Sequence, residues 1–127
     1  MDEMQAIEAL LGRYLAACES RNVEAIATCF ASSAIVSDPT SPVTRGRTAI
    51  ATYFRSLYDD LDALKLQTSQ LYWRGTSVAC QWRGEARRKD GKTITYEGID
   101  VFELDANPLI ARMDAYWDPK DFKMTIR

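Results

Sequence analysis

Residues Thr93 to Leu104 read TITYEGIDVFEL, and this stretch decides the fold class of the chain. β-branched and aromatic residues dominate it, and the turn formers Asp90-Gly91 and Asn107-Pro108 lie on either side, so it reads as one long strand. Strict alternation puts Ile99 and Val101 on one side and Gly98, Asp100, Phe102 and Leu104 on the other, which predicts a strand covered on both faces. One carboxylic acid, Asp100, stands in the middle of this apolar pattern. An isolated ionised carboxylate there costs several kcal/mol, and a raised pKa that keeps the acid protonated removes the cost. A neutral Asp is a hydrogen-bond donor. Alternatively, Asp100 sits near the strand end or meets an arginine and closes a polar network.

Outward from this strand, turn signals at Gly75-Thr76, Asp90-Gly91 and Asn107-Pro108 divide the second half into four strands, about Lys65 to Arg74, Ser77 to Arg88, Lys92 to Leu104 and Ile110 to Asp118. The first half has helical spacing instead. From Glu3 to Glu19 the apolar residues Met4, Ile7, Leu10, Leu11, Tyr14, Leu15 and Cys18 recur at three and four, which predicts an amphipathic helix with Tyr14 on its buried stripe. A second helix runs from an Asn22 cap to about Ala31 and buries Val23, Ile26, Ala27 and Phe30. Ser33 to Val36 forms a short strand, and Pro39 ends it while forcing Asp38 into an extended conformation at a strand-to-loop junction. After an irregular loop through Pro42 and Gly46, a third helix spans about Arg47 to Leu61. Three helices preceding a strongly curved, mainly antiparallel sheet make an α+β fold, expected as one domain over residues 1–127.

Composition limits the chemistry. The 16 basic and 18 acidic residues nearly cancel, so no overall field favours nucleic acid or an anionic membrane, and the local basic run, Arg83 with Arg87 to Lys89, reads as a solvated hairpin. Cys18, Cys29 and Cys80 have neither metal-site spacing nor an even count, and histidine is absent. Proton chemistry therefore falls to carboxylates, tyrosines and lysines, with no metal and no cofactor expected. The acidic start MDEMQAIEA does not suit a signal peptide and no apolar run reaches membrane-spanning length, so a cytoplasmic protein with reduced thiols is expected.

Arg13-Tyr14 with the Asn22-to-Phe30 helix, then Ser37-Asp38-Pro39, Arg45-Gly46-Arg47, Ile99-Asp100-Val101 and Ala115-Tyr116-Trp117, resembles bacterial ketosteroid isomerase over about residues 10 to 118. That family belongs to the cone-shaped NTF2-like, or SnoaL-like, superfamily. The resemblance implies Asp38 as general base, Tyr14 and a protonated Asp100 as oxyanion donors, and Trp117 in the pocket wall. Phe30, Val36, Phe54, Phe102 and Met113 are expected to contact a hydrophobic polycyclic ligand, steroid-like or polyketide-like, with Gly98 leaving it room or letting the sheet coil. Phe54 departs from the family, which commonly has a tyrosine there bonded to the oxyanion tyrosine; the adjacent Tyr53 points about 100° away around the helix.

The implied reaction takes a proton from carbon beside a ketone and returns it to another carbon, moving a double bond into conjugation. A SnoaL-like polyketide cyclase and a non-catalytic NTF2-like binding protein are the alternatives. A limonene-type epoxide hydrolase is disfavoured, because Gly98 stands where that resemblance requires arginine. Apolar residues on both sides of the last strands predict a homodimer through the outer sheet face.

Overall fold

The computed structural model describes residues 2–118 and the strand residues 123–125; Met1, residues 119–122 and residues 126–127, which belong to the expected span 1–127, lie outside the described residues. Helix α1, Glu3–Ser20, starts with a capping box: the Gln5 N–H donates to the Asp2 carboxylate at 2.8 Å, while the Gln5 side chain accepts from the Asp2 N–H at 3.2 Å. Its stripe of Ile7, Leu10, Leu11, Tyr14, Ala17 and Cys18 is buried, and the helix stops at Arg21 in the left-handed region.

Helix α2, Val23–Thr28, begins at the expected Asn22 cap but ends earlier than Ala31. Phe30 instead opens strand β1, Phe30–Ser37, pairing with Ile110 in parallel register, and the Ile110 N–H donates to the Cys29 carbonyl at 2.9 Å. Thr28, Cys29 and Phe30 are weak helix formers, so sheet pairing takes over there. The expected irregular loop holds a two-residue strand, β2, Thr44–Arg45, paired with Ile35 and Val36. Helix α3, Arg47–Tyr58, follows Gly46, whose φ of 89° disfavours any side chain. Leu61, expected to close that helix, is the first residue of β3, Leu61–Arg74, where it pairs with Arg88.

Strands β4, Ser77–Arg88, β5, Thr93–Leu104, β6, Ile110–Tyr116, and β7, Lys123–Thr125, complete a sheet ordered β2-β1-β6-β5-β4-β3, with β7 paired to the start of β5. Among the described residues only β1 and β6 run parallel. The helices lie on one side of this α+β sheet, and the fully buried Phe30, Phe54, Phe102, Leu10, Ile26 and Ile50 fill the space between. Each such side chain contributes about 1.5–3 kcal/mol of burial. Strand β5 is therefore covered on its inner face only: Phe102 and Leu104 are buried, whereas Ile99 on the outer face is 42 % exposed. The expectation of a strand covered on both sides fails within one chain, because all three helices pack on the same face. Among the described residues no helix is long and apolar enough to cross a membrane.

Candidate active site

A cavity of about 260 Å³ lies between α1, α3 and the inner face of β3 to β6. Five of the residues singled out from the sequence line it: Tyr14, Phe54, Asp100, Met113 and Trp117. Tyr53, Tyr58, Trp82 and Tyr96 also line it, and sequence reading missed all four as site residues. A wider depression of about 820 Å³, walled by Glu19, Lys65, Arg83 and Glu97 among others, contains none of the candidate residues. The smaller cavity holds the candidate chemistry, so size does not identify the site here.

Tyr14 is placed by helical spacing and held by aromatic edges. Its ring meets Phe30 at 5.9 Å, Phe54 at 6.2 Å and Phe102 at 5.6 Å, each at an interplanar angle above 70°. Phe30 and Phe102, expected as ligand contacts, therefore lie behind the cavity wall as the cage of Tyr14, and Val36 is buried in the same core cluster. The Tyr14 hydroxyl donates to the Met113 sulfur at 3.3 Å, a weak acceptor that a ligand oxygen can replace. Burial pushes this phenol well above its ordinary pKa, with Cys18, Asp100 and Tyr58 adding to the rise, so the hydroxyl keeps its proton. Phenylalanine at 54 provides no hydroxyl, and the polar groups that act on Tyr14 here are Cys18, Asp100 and Tyr58.

Asp100 projects from the inner face of β5 into the cavity. Its residue surface is only partly covered, because the cavity reaches it, yet protein surrounds the carboxyl on nearly all sides. The surrounding atoms dominate its electrostatics: desolvation pushes its pKa up from 3.8 to about 7, opposed by the Trp82 indole, which favours the ionised form.

Asp38 is held in the opposite direction. Its Oδ1 accepts from the Thr40 N–H at 2.7 Å, the Ser41 N–H at 2.7 Å and the Thr40 hydroxyl at 3.0 Å, while the Tyr53 hydroxyl donates to Oδ2. Partial burial is the largest single influence and raises the pKa, but the hydrogen bonds from Tyr53, Thr40 and Ser41 together outweigh it and hold the carboxylate below its usual range. Asp38 itself does not line the cavity; Tyr53 stands in the wall between them. Although Tyr53 is displaced around the helix from Phe54, its hydroxyl reaches across to the β1 junction. Helical phase alone carries no sign of that contact, since the partner is 15 residues away.

Gly98 is not a gap for ligand. A Cβ there would lie 2.4 Å from the Tyr116 carbonyl oxygen, 2.9 Å from Trp82 Cζ2 and 3.0 Å from Trp117 Cβ, so protein already fills the space. At Gly84 a Cβ would meet the Tyr96 ring at 2.8 Å.

A curved sheet closed by three helices over an apolar cavity is the NTF2-like fold. Residues 11–113 match the family described as SnoaL-like domain, and the chain belongs to that family. It is 32% identical over 122 residues to the Steroid Delta-isomerase of Nocardioides simplex, covering 94% of this chain and 95% of that one. Among solved structures, the epoxide hydrolase/cyclase-like enzyme SalBIII, described in pyran ring formation in the polyether salinomycin, superposes with a TM-score of 0.85 at 22% identity, over 98% of this chain and all of that one. The Delta 5-3-ketosteroid isomerase from Mycobacterium sp. superposes with a TM-score of 0.80 at 19% identity, over 92% and 96% of the two chains. At such identities both structures bear on the fold alone.

Proposed function

We propose that this protein is a ketosteroid-isomerase-like enzyme that moves a carbon–carbon double bond into conjugation with a ketone. The observation that supports it is the divergence of two carboxyls, one inside the apolar cavity and one behind its Tyr53 wall: Asp38 is held ionised, and Asp100 is raised to about 7. Abstracting a proton beside a ketone needs both states at once. In this role the ketone oxygen displaces Met113 as acceptor for Tyr14 and accepts a second bond from protonated Asp100. Asp38 takes a proton from the adjacent carbon through Oδ2, because three donors already occupy Oδ1; for this the Tyr53 hydroxyl, which donates to Oδ2 from the cavity wall, has to turn aside. The electron pair moves onto the ketone oxygen, which the two donors stabilise; the Asp38 acid then returns the proton to the far carbon of the original double bond as the ketone re-forms, which leaves the new double bond conjugated with it. Neither donor loses its proton, so the enzyme ends as it began. One donor of this kind lowers the barrier by roughly 3–4 kcal/mol.

The apolar wall and the volume of about 260 Å³ suit a rigid ligand of a few fused rings. The Steroid Delta-isomerase relative supports a steroid-like ketone. The outer sheet face, where Ile99, Tyr72 and Tyr116 are 42 %, 63 % and 59 % exposed, is assigned in the same proposal to a second copy of the chain.

A binding-only pocket is the second reading, and a specific feature favours it: a carboxylate with four donors and a lowered pKa is a weak base. Absorbance of the conjugated enone formed from an unconjugated 3-keto steroid separates the two. Wild type is expected to turn over, and Asp38→Asn to bind the steroid yet lose about 10²–10⁴-fold in rate. Binding by wild type without enone formation would leave only the pocket role.

A further inference from the structure

One polar group in the cavity wall is unused by this chemistry. Trp82 is 8 % exposed and lines the cavity together with Asp100, and its indole Nε1–H is fully buried without a hydrogen-bond partner among the described residues. Native proteins rarely leave such a donor unpaired. Register explains where it lies: Cys80 stands opposite Asp100 and Trp82 opposite Gly98, so Trp82 and Asp100 are diagonal neighbours on the inner face. The indole also rests edge-on against Tyr96, with centroids 5.2 Å apart at 76°. Gly98 completes its seat, because a Cβ there would press on the indole at 2.9 Å. The N–H is close enough to Asp100 to favour the ionised form, yet no bond of ordinary geometry joins the two.

We infer that Trp82 is a positioning residue for Asp100: as a ligand oxygen enters the cavity, the indole N–H closes on the carboxyl oxygen turned away from the ligand and aims the acid's hydroxyl at it. This role rests on the donor function proposed for Asp100. A protonated carboxyl has one donating and one accepting oxygen, and either can face the ligand unless something distinguishes them. An N–H placed behind the group does so, since it can pair only with the accepting oxygen. The titratable groups that sense the Asp100 charge are Tyr14 and Cys18 of α1, Tyr53 of α3, Cys80 of β4 and Tyr96 of β5. Burial raises all five, so they remain neutral while Asp100 titrates. From the neighbouring strand β6, the non-titrating Ala115, its register partner, and Met113 stand beside it in the cavity wall.

The test uses 2-naphthol, a rigid phenol that presents an acceptor oxygen and is not turned over. It is titrated calorimetrically from about pH 5 to 9 into wild type, Trp82→Phe and Asp100→Asn, while carbon NMR of aspartate-labelled protein follows the Asp100 carboxyl. Without the N–H, burial acts unopposed, so in Trp82→Phe the Asp100 midpoint should rise by about one pH unit. Naphthol affinity at pH 6 should fall about three- to tenfold, since the acid is no longer aimed. An unchanged midpoint and affinity in Trp82→Phe, alongside weakened or pH-independent binding in Asp100→Asn, would overturn the role of Trp82 alone. Identical naphthol binding by wild type and Asp100→Asn at every pH would overturn the donor role of Asp100 and the Trp82 role with it. Should Trp82→Phe not fold, benzothienylalanine at position 82 keeps the ring shape, lacks the N–H, and decides between the same outcomes.

Discussion

Asp100 ties the stability of this fold to pH in a direction opposite to that of most carboxylates, and Asp100→Asn should remove the effect. The folded carboxyl holds its proton up to about 7, whereas the unfolded chain releases it near 3.8. Below 3.8 both states are protonated and Asp100 contributes fully; from there to about 7 the unfolded state is favoured by ionisation, and above 7 the loss is complete. Between pH 5 and 7 the fall is at most about 3 kcal/mol, at about 1.4 kcal/mol for each tenfold change in proton activity. Cavity access to the carboxyl reduces this, so about 2 kcal/mol is expected. Asp38 acts in the opposite sense: its depressed pKa stabilises the fold above its unfolded value and loses effect as pH falls through the folded one. That contribution is common to both proteins and cancels. Urea unfolding at several pH values between 5 and 8 should therefore show wild type losing about 2 kcal/mol relative to Asp100→Asn as pH rises. Parallel stability curves would mean that Asp100 is ionised in the folded state near pH 5, and the neutral-donor mechanism would be refuted.

Two further substitutions probe neighbouring features. Tyr53→Phe removes the hydroxyl that helps hold the Asp38 pKa down, so the acid limb of the kcat/KM profile should move to higher pH; an unmoved limb would separate Tyr53 from the base. Gly98→Ala forces a Cβ against the Tyr116 carbonyl and the Trp82 indole and should cost about 1–3 kcal/mol in urea unfolding, whereas a neutral result would show that the β5–β6 ladder yields easily.

Asp100 and Tyr14 were legible as buried polar groups because local periodicity determines them: alternation directs Asp100 inward, and three-and-four spacing puts Tyr14 on a buried stripe. The same signals indicated three helices before a curved sheet, since patterns of period two and 3.6 are properties of neighbouring residues. Ends of elements were less legible; Phe30 left its helix because Ile110, 80 residues away, offered a parallel partner. Long-range contacts also changed the roles of individual side chains. The Tyr53–Asp38 bond, the aromatic cage that moves Phe30 and Phe102 behind the wall, and the Trp82 indole occupying the space above Gly98 each join residues whose separation in the chain carries no periodic signal. Sequence alone determined which face each residue takes, through backbone geometry; only the tertiary structure decided what that residue meets there, because strand register and helix packing bring distant side chains within hydrogen-bonding distance.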